Sequence, residues 1–295
     1  MRVWGEELTG VLIHERYALT VHSARPKGIM FSGSPLVPES SLYRSRSTHA
    51  IHSRPMKPVR IAIIGEATID QHGDLTDSGT IASALATMPD TAVTLRAVVP
   101  DAAHAERLTK TLHTLGVRAD ITSRDPLDEA GPIRRGDTLD IWDLFAHDVV
   151  ILDFADAGLR HFLTDLPAHT KPDVRLLGTL RAVRGPAPAS EREVALRCDT
   201  LVGSNTQFQH LMGTPDGPTA LETIHAHLRG VNLRTAVMAG PGNELRIAAL
   251  DEEMWTAQAE RSSLPSLDHI VARVAVGMAR REEWPSIGRA LTAGD

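Results

Sequence analysis

The sequence predicts an α/β protein built on a three-layer, doubly wound and mostly parallel central sheet. Three observations carry the prediction. Four apolar residues at 61–64 run without interruption into Gly65, the pattern of a strand buried on both faces and followed by a turn. From Val59 onward, short apolar runs alternate with helical periodicities, which implies βαβ units. Near the C-terminus two further runs, 244–250 and 254–259, flank Asp251-Glu252-Glu253. They read as an antiparallel hairpin at the edge of an otherwise parallel sheet.

Taken in order, the apolar runs place strands at 60–64, 93–98, 149–152, 174–177, 200–202 and 235–238. Periodic segments place helices between them at 80–88, 102–115, 158–163, 190–197, 207–212 and 218–228, with a last long amphipathic helix at 267–281. The segment 118–137 is rich in Asp, Arg, Gly and Pro and poor in strand formers, so it reads as irregular. In an open α/β sheet ligands bind beyond the carboxyl ends of the strands. Asp70, which closes the segment IAIIGEATID, therefore stands where a ligand would be held.

Composition bounds the rest. The chain has 295 residues, 42% hydrophobic and 23% charged, enough for one large domain. No run approaches the roughly 18 apolar residues that suggest a membrane span. The single cysteine, Cys198, excludes an intrachain disulfide and a thiolate metal cluster, so a cytoplasmic setting is the default. Aromatics make up 4%, too few for base-stacking platforms.

Charge separates two regions. Residues 1–57 hold eight Lys/Arg against four Asp/Glu, a net of +4, while the remainder holds 23 against 33, a net of −10. The acidic body argues against nucleic acid as a partner. Residues 1–57 lack periodicity and end in a Ser/Arg/His-rich stretch, so they read as a disordered extension or as an upstream start with Met56 the natural beginning. A targeting peptide fits less well, because glutamates are scattered through the segment and an apolar core is missing. Residues 58–295 form the expected domain.

Four segments carry the candidate chemistry: IIGEATID, DSGTIAS, SNTQF, and MAGPG followed by LDHIVARVAVGMA. Read as residues, Asp70 is a carboxylate that can accept two hydroxyl donors or organise a turn with Gln71, His72 and Gly73. Ser78 can cap a helix starting at Thr80. Asn205 or Ser204 can cap the next. The Gly240–Gly242 stretch can be a plain tight turn, and Asp268 is suited to a helix N-terminus.

In order and spacing these segments resemble the ribokinase-like, or PfkB, family of carbohydrate kinases, from Val59 to the end of the chain. The resemblance implies a sugar-binding role for Asp70 and, around the family's glycine pair and following Asn, for Ser78, Gly79 and Ser83. It implies nucleotide contacts for Asn205, Gly240 and Gly242, and makes Asp268 the general base that accepts the proton of the attacking hydroxyl. ATP and Mg²⁺ are the implied cofactors and a sugar or nucleoside-like molecule the substrate. A homodimer is an assembly the resemblance allows.

The departures from the family pattern fall mostly on phosphate handling. Ser78 and Ser83 replace a Gly and an Asn. Phe208 stands where the family has the Glu that orders hydrated Mg²⁺, with Gln207 and Gln209 as uncharged stand-ins acting through water. Met238 replaces a hydroxyl donor. Pro265-Ser266-Leu267 replace the glycine-rich turn before the catalytic Asp, where a leucine at positive φ would cost about 1–3 kcal/mol. The family's β-lid over the sugar is expected to be reduced or absent. Function therefore reads as ATP-dependent phosphorylation of a sugar-like hydroxyl, or as a catalytically inactive descendant that binds sugar or nucleotide or joins an assembly.

Overall fold

The computed structural model describes residues 57–99, 101–123, 146–153, 173–180, 192–193, 195–260 and 263–293, all within the unit Ser53–Asp295. The extension up to residue 56, the helix at 158–163, most of the segment 118–137 with its lid, and part of the helix at 190–197 lie outside them.

Among the described residues, nine strands form one sheet in the order β3-β2-β1-β4-β5-β6-β7-β8-β9. They are β1 (Val59–Ile64), β2 (Thr91–Val99), β3 (Arg118–Ser123), β4 (Val149–Asp153), β5 (Arg175–Thr179), β6 (Thr200–Ser204), β7 (Thr235–Ala239), β8 (Glu244–Ala249) and β9 (Trp255–Gln258). Pairing is parallel from β3 through β7. It is antiparallel for β7–β8 and β8–β9. The doubly wound sheet with an antiparallel edge is the predicted architecture.

One strand was not legible. Arg118–Ser123, expected as irregular, pairs in parallel with β2 and forms an edge of the main sheet. Its residues are only partly buried, so no apolar run announces it.

Helix placement follows from right-handed crossovers. Helices α1 (Ser78–Ala86) and α2 (Ala102–Thr114) step the chain outward from β1 to β3 and cover one face, where Ile81, Leu85, Leu108 and Leu112 pack on Ile61, Ile63 and Leu95. Beyond β4 the chain steps the other way. Helices α3 (Asn205–Met212) and α4 (Gly217–His227) accordingly lie on the opposite face, with Phe208, Leu221 and Ile224 over Leu152, Leu201 and Ala236. Helices α5 (Leu267–Arg280) and α6 (Trp284–Ala293) return to the first face.

The direction of α5 matters for the site. Its C-terminal end lies at the edge where strands begin, because Arg280 Nη2 donates to the Pro89 carbonyl at 2.8 Å, just before β2. Fourteen residues of helix span about 21 Å, roughly the length of a strand of six residues. Its N-terminus therefore reaches the edge where the parallel strands end.

Candidate functional site

The strand order reverses between β1 and β4, which makes their carboxyl ends the topological switch point and the expected crevice. Three residues meet there. Ser78 Oγ donates to Asp153 Oδ2 at 2.8 Å, and both side chains are fully buried. Gly65 makes room for them, since a Cβ at that position would lie 2.0 Å from Ser78 Oγ and 2.6 Å from Asp153 Cβ.

Local structure delivers Ser78 to this point. The residue before it, Asp77, is the N-cap of α1 with φ 52° and ψ −129°, a conformation that costs a non-glycine residue on the order of 1–3 kcal/mol. Thr76 Oγ1 donates to Asp77 Oδ2 at 2.8 Å and Thr80 Oγ1 to the Asp77 carbonyl at 2.6 Å. These bonds hold the strained turn. Ser78 is thus the first helical residue rather than the cap of a helix starting at Thr80, and its hydroxyl is directed at β4.

Asp70 lies on the loop that precedes this turn. Residues 68–76 close into a small hairpin through an Ile69–Leu75 bridge and a Thr68–Thr76 side-chain contact of 2.6 Å. Exposed Asp70 accepts on Oδ1 from the backbone N–H groups of His72 at 2.8 Å and Asp74 at 2.9 Å. It organises its own turn, and both bonds fall on one oxygen. Gly79 is approached from the same loop, with Leu75 Cβ 3.2 Å from where its own Cβ would stand. Ser83 is half-buried in the second turn of α1.

Two buried groups at this edge escaped sequence reasoning. Asp153 ends an apolar run, VVILD, a signal of the same kind that marked Asp70. Thr179 is its register partner on β5. Thr179 is fully buried, and its hydroxyl has no partner among the described residues.

The positions that the resemblance assigns to the nucleotide lie at the ends of β6 and β7. Ser204 caps α3 in a capping box, Gln207 Oε1 accepting from the Ser204 N–H at 2.7 Å. Gln209 Nε2 donates to the Pro215 carbonyl at 2.8 Å. Both glutamines considered as metal stand-ins are therefore engaged locally. Phe208 is fully buried in the core under α3, so the position expected to order Mg²⁺ faces the protein interior. Half-buried Asn205 presents an Oδ1 without a partner among the described residues, against the start of α4 at Gly217.

Gly240 is extended (φ −86°, ψ 176°) and Gly242 left-handed (φ 66°) in a one-turn 3₁₀ segment joining β7 to β8. The Gly240 N–H closes the loop on the Glu244 carbonyl at 2.7 Å. Met238, which stands in place of the family pattern's hydroxyl donor, is buried in the core.

Asp268 occupies the second position of α5 and is half-buried. Ser266 is the cap, its side chain accepting from the His269 N–H at 3.3 Å. Leu267 is the first helical residue and is not among the positive-φ residues. The strain expected there is absent, because the turn is built as an ordinary Ser-capped helix start in place of a glycine nest. Asp70, Ser78, Gly79, Asn205, Gly240, Gly242 and Asp268 all fall at the carboxyl edge of the sheet.

Among the described residues no group of three His, Cys, Asp or Glu could hold a metal ion, and no helix is long and apolar enough to cross a membrane. No protein-family model matches the sequence. No curated protein sequence matches it either. Solved structures do match in fold. A ribokinase of Arabidopsis thaliana complexed with ribose and ATP aligns with a TM-score of 0.60 at 12% identity, over 80% of this chain and 91% of that one. A carbohydrate kinase from Agrobacterium tumefaciens gives 0.59 at 16% identity, over 80% and 90%. The tetrameric inhibited form of phosphofructokinase-2 from Escherichia coli gives 0.59 at 13%, over 80% and 93%. The fold of this chain is therefore the ribokinase-like α/β fold.

Proposed function

We propose that the chain transfers the terminal phosphoryl group of ATP to a hydroxyl of a sugar or sugar-like molecule, as a divergent carbohydrate kinase. The observation that carries this reading is the place of Asp268. A carboxylate in the first turn of a helix that opens onto the substrate edge can take the hydroxyl proton, while the helix N-terminus favours the transferring phosphoryl group. The hydroxyl oxygen forms the new bond to phosphorus, the bond to ADP breaks, and the proton passes to Asp268. Asp70, whose two backbone bonds fall on Oδ1, offers Oδ2 to sugar hydroxyls at the same edge, and the buried Ser78–Asp153 pair fixes the turn beside it. The Gly240–Gly242 turn and Asn205 lie along the nucleotide side.

The described residues do not fit a resident magnesium ion, since Phe208 is in the core. Any Mg²⁺ enters with the nucleotide as substrate. The same observation favours a second reading, a descendant that binds sugar or nucleotide without turnover, because loss of an electrostatic element of this kind costs about 10² to 10³ in rate.

The test is ADP release from Mg-ATP across pentoses, hexoses and nucleosides, beside Asp268→Asn. Turnover that falls by about 10² or more in the variant supports the kinase. Saturable binding of a sugar or nucleotide with no turnover in the native chain overturns it in favour of the binding protein.

A further inference from the structure

A second polar cavity, of about 770 Å³, opens at the opposite edge of the sheet, where β5, β6 and β7 begin and α5 gives way to α6. Its charge runs against that of the acidic body. Arg175, Arg234 and Arg281 line it, with Asp199 and Glu282 as the counter-charges among the described residues. Both carboxylates have other partners. Asp199 Oδ2 accepts from the Leu176 N–H at 2.8 Å, and its Oδ1 lies 3.5 Å from Arg175 Nη1. Glu282 Oε2 accepts from Arg273 Nη2 at 2.5 Å.

Two guanidinium groups are left over. The exposed side chains of Arg234 and Arg281 make no hydrogen bond or ion pair with any described residue. Arg281 also holds the left-handed C-cap of α5, φ 57°, a position that favours glycine or asparagine. The helix's last carbonyls do not compete for it, since Gly277 and Met278 accept from the Glu282 and Arg281 N–H groups. Trp284, the half-buried first residue of α6, supplies an aromatic wall.

Guanidinium forks match the paired oxygens of a phosphate, and an indole stacks on a planar ring. The volume lies in the range for small organic ligands and exceeds what an inorganic anion fills. We propose that this cavity binds an aromatic phosphate ester of the nucleoside monophosphate class, at a site separate from the switch-point crevice. The proposal does not depend on whether the crevice carries out phosphoryl transfer.

The test is isothermal titration of the full chain with AMP, adenosine and inorganic phosphate, repeated on Arg234→Gln/Arg281→Asn. Both positions are exposed and asparagine tolerates the left-handed φ, so the variant retains its fold, which circular dichroism checks. The expected result is saturable AMP binding that weakens about a hundredfold in the variant, one decade for each charge-assisted contact. Adenosine and inorganic phosphate should each bind the native chain about tenfold or more weakly than AMP. No AMP binding, AMP binding unchanged in the variant, or phosphate binding as tight as AMP would each overturn the proposal.

Discussion

Ser78, the first residue of α1, donates its hydroxyl to Asp153, the last residue of β4, across 75 positions of sequence and at 2.8 Å. This bond ties the two halves of the doubly wound sheet together at the point where they diverge.

Ser78→Ala removes a donor from a fully buried carboxylate. The expected cost is about 1–3 kcal/mol of stability, read as a lower urea midpoint with an unchanged slope. Ser78→Thr, which keeps the hydroxyl, should recover part of it.

Gly65→Ala places a methyl group on both partners of that bond, 2.0 Å from Ser78 Oγ. Backbone or side chains must shift, at a cost of about 1–3 kcal/mol or more. Thermal denaturation should show a clear fall, whereas Gly116→Ala would test only a positive φ of 75° with open space around it.

Two helix caps give stability a dependence on acid. Backbone N–H donation from His104 holds Asp101 below the ordinary aspartate value of 3.8, with the His104 side chain adding to it. Thr219 does the same for Asp216. A depressed folded value means that each carboxylate stabilises the native state above its unfolded pKa, and that this contribution is lost as pH falls through the folded one. Urea midpoints should therefore decline below roughly pH 4. Asp101→Asn/Asp216→Asn, with neutral caps, should flatten that decline while leaving the slope near pH 7 unchanged.

Cys198 is a clean reporter of global opening. Burial pushes its thiol well above the ordinary range, and the neighbouring Asp199 charge adds to the shift. In native buffer a thiol reagent should label it only as fast as the protein unfolds, and in urea the labelling rate should follow the unfolding transition.

The parallel strands were readable because each is an apolar run buried on both faces. The edge strand β3 was not, since Arg118, Asp120 and Thr122 interrupt any such run. Asp268 was legible as a carboxylate at a helix start, and the structure places it there. The Ser78–Asp153 pair was not, because its two members look like a local cap and a strand end until tertiary structure brings them together. The start of α1 was misjudged by two residues for a similar reason. Asp77 takes a backbone conformation that sequence assigns to glycine, and neighbouring threonine hydroxyls hold it there.

Phe208 also limits what the position beneath α3 can hold. Its ring lies in the core with Leu152, Leu201 and Leu211. A carboxylate placed there would be a charge stranded among apolar side chains, so Phe208→Glu should be poorly folded. An acid able to order a hydrated metal would have to stand at a solvent-facing position instead.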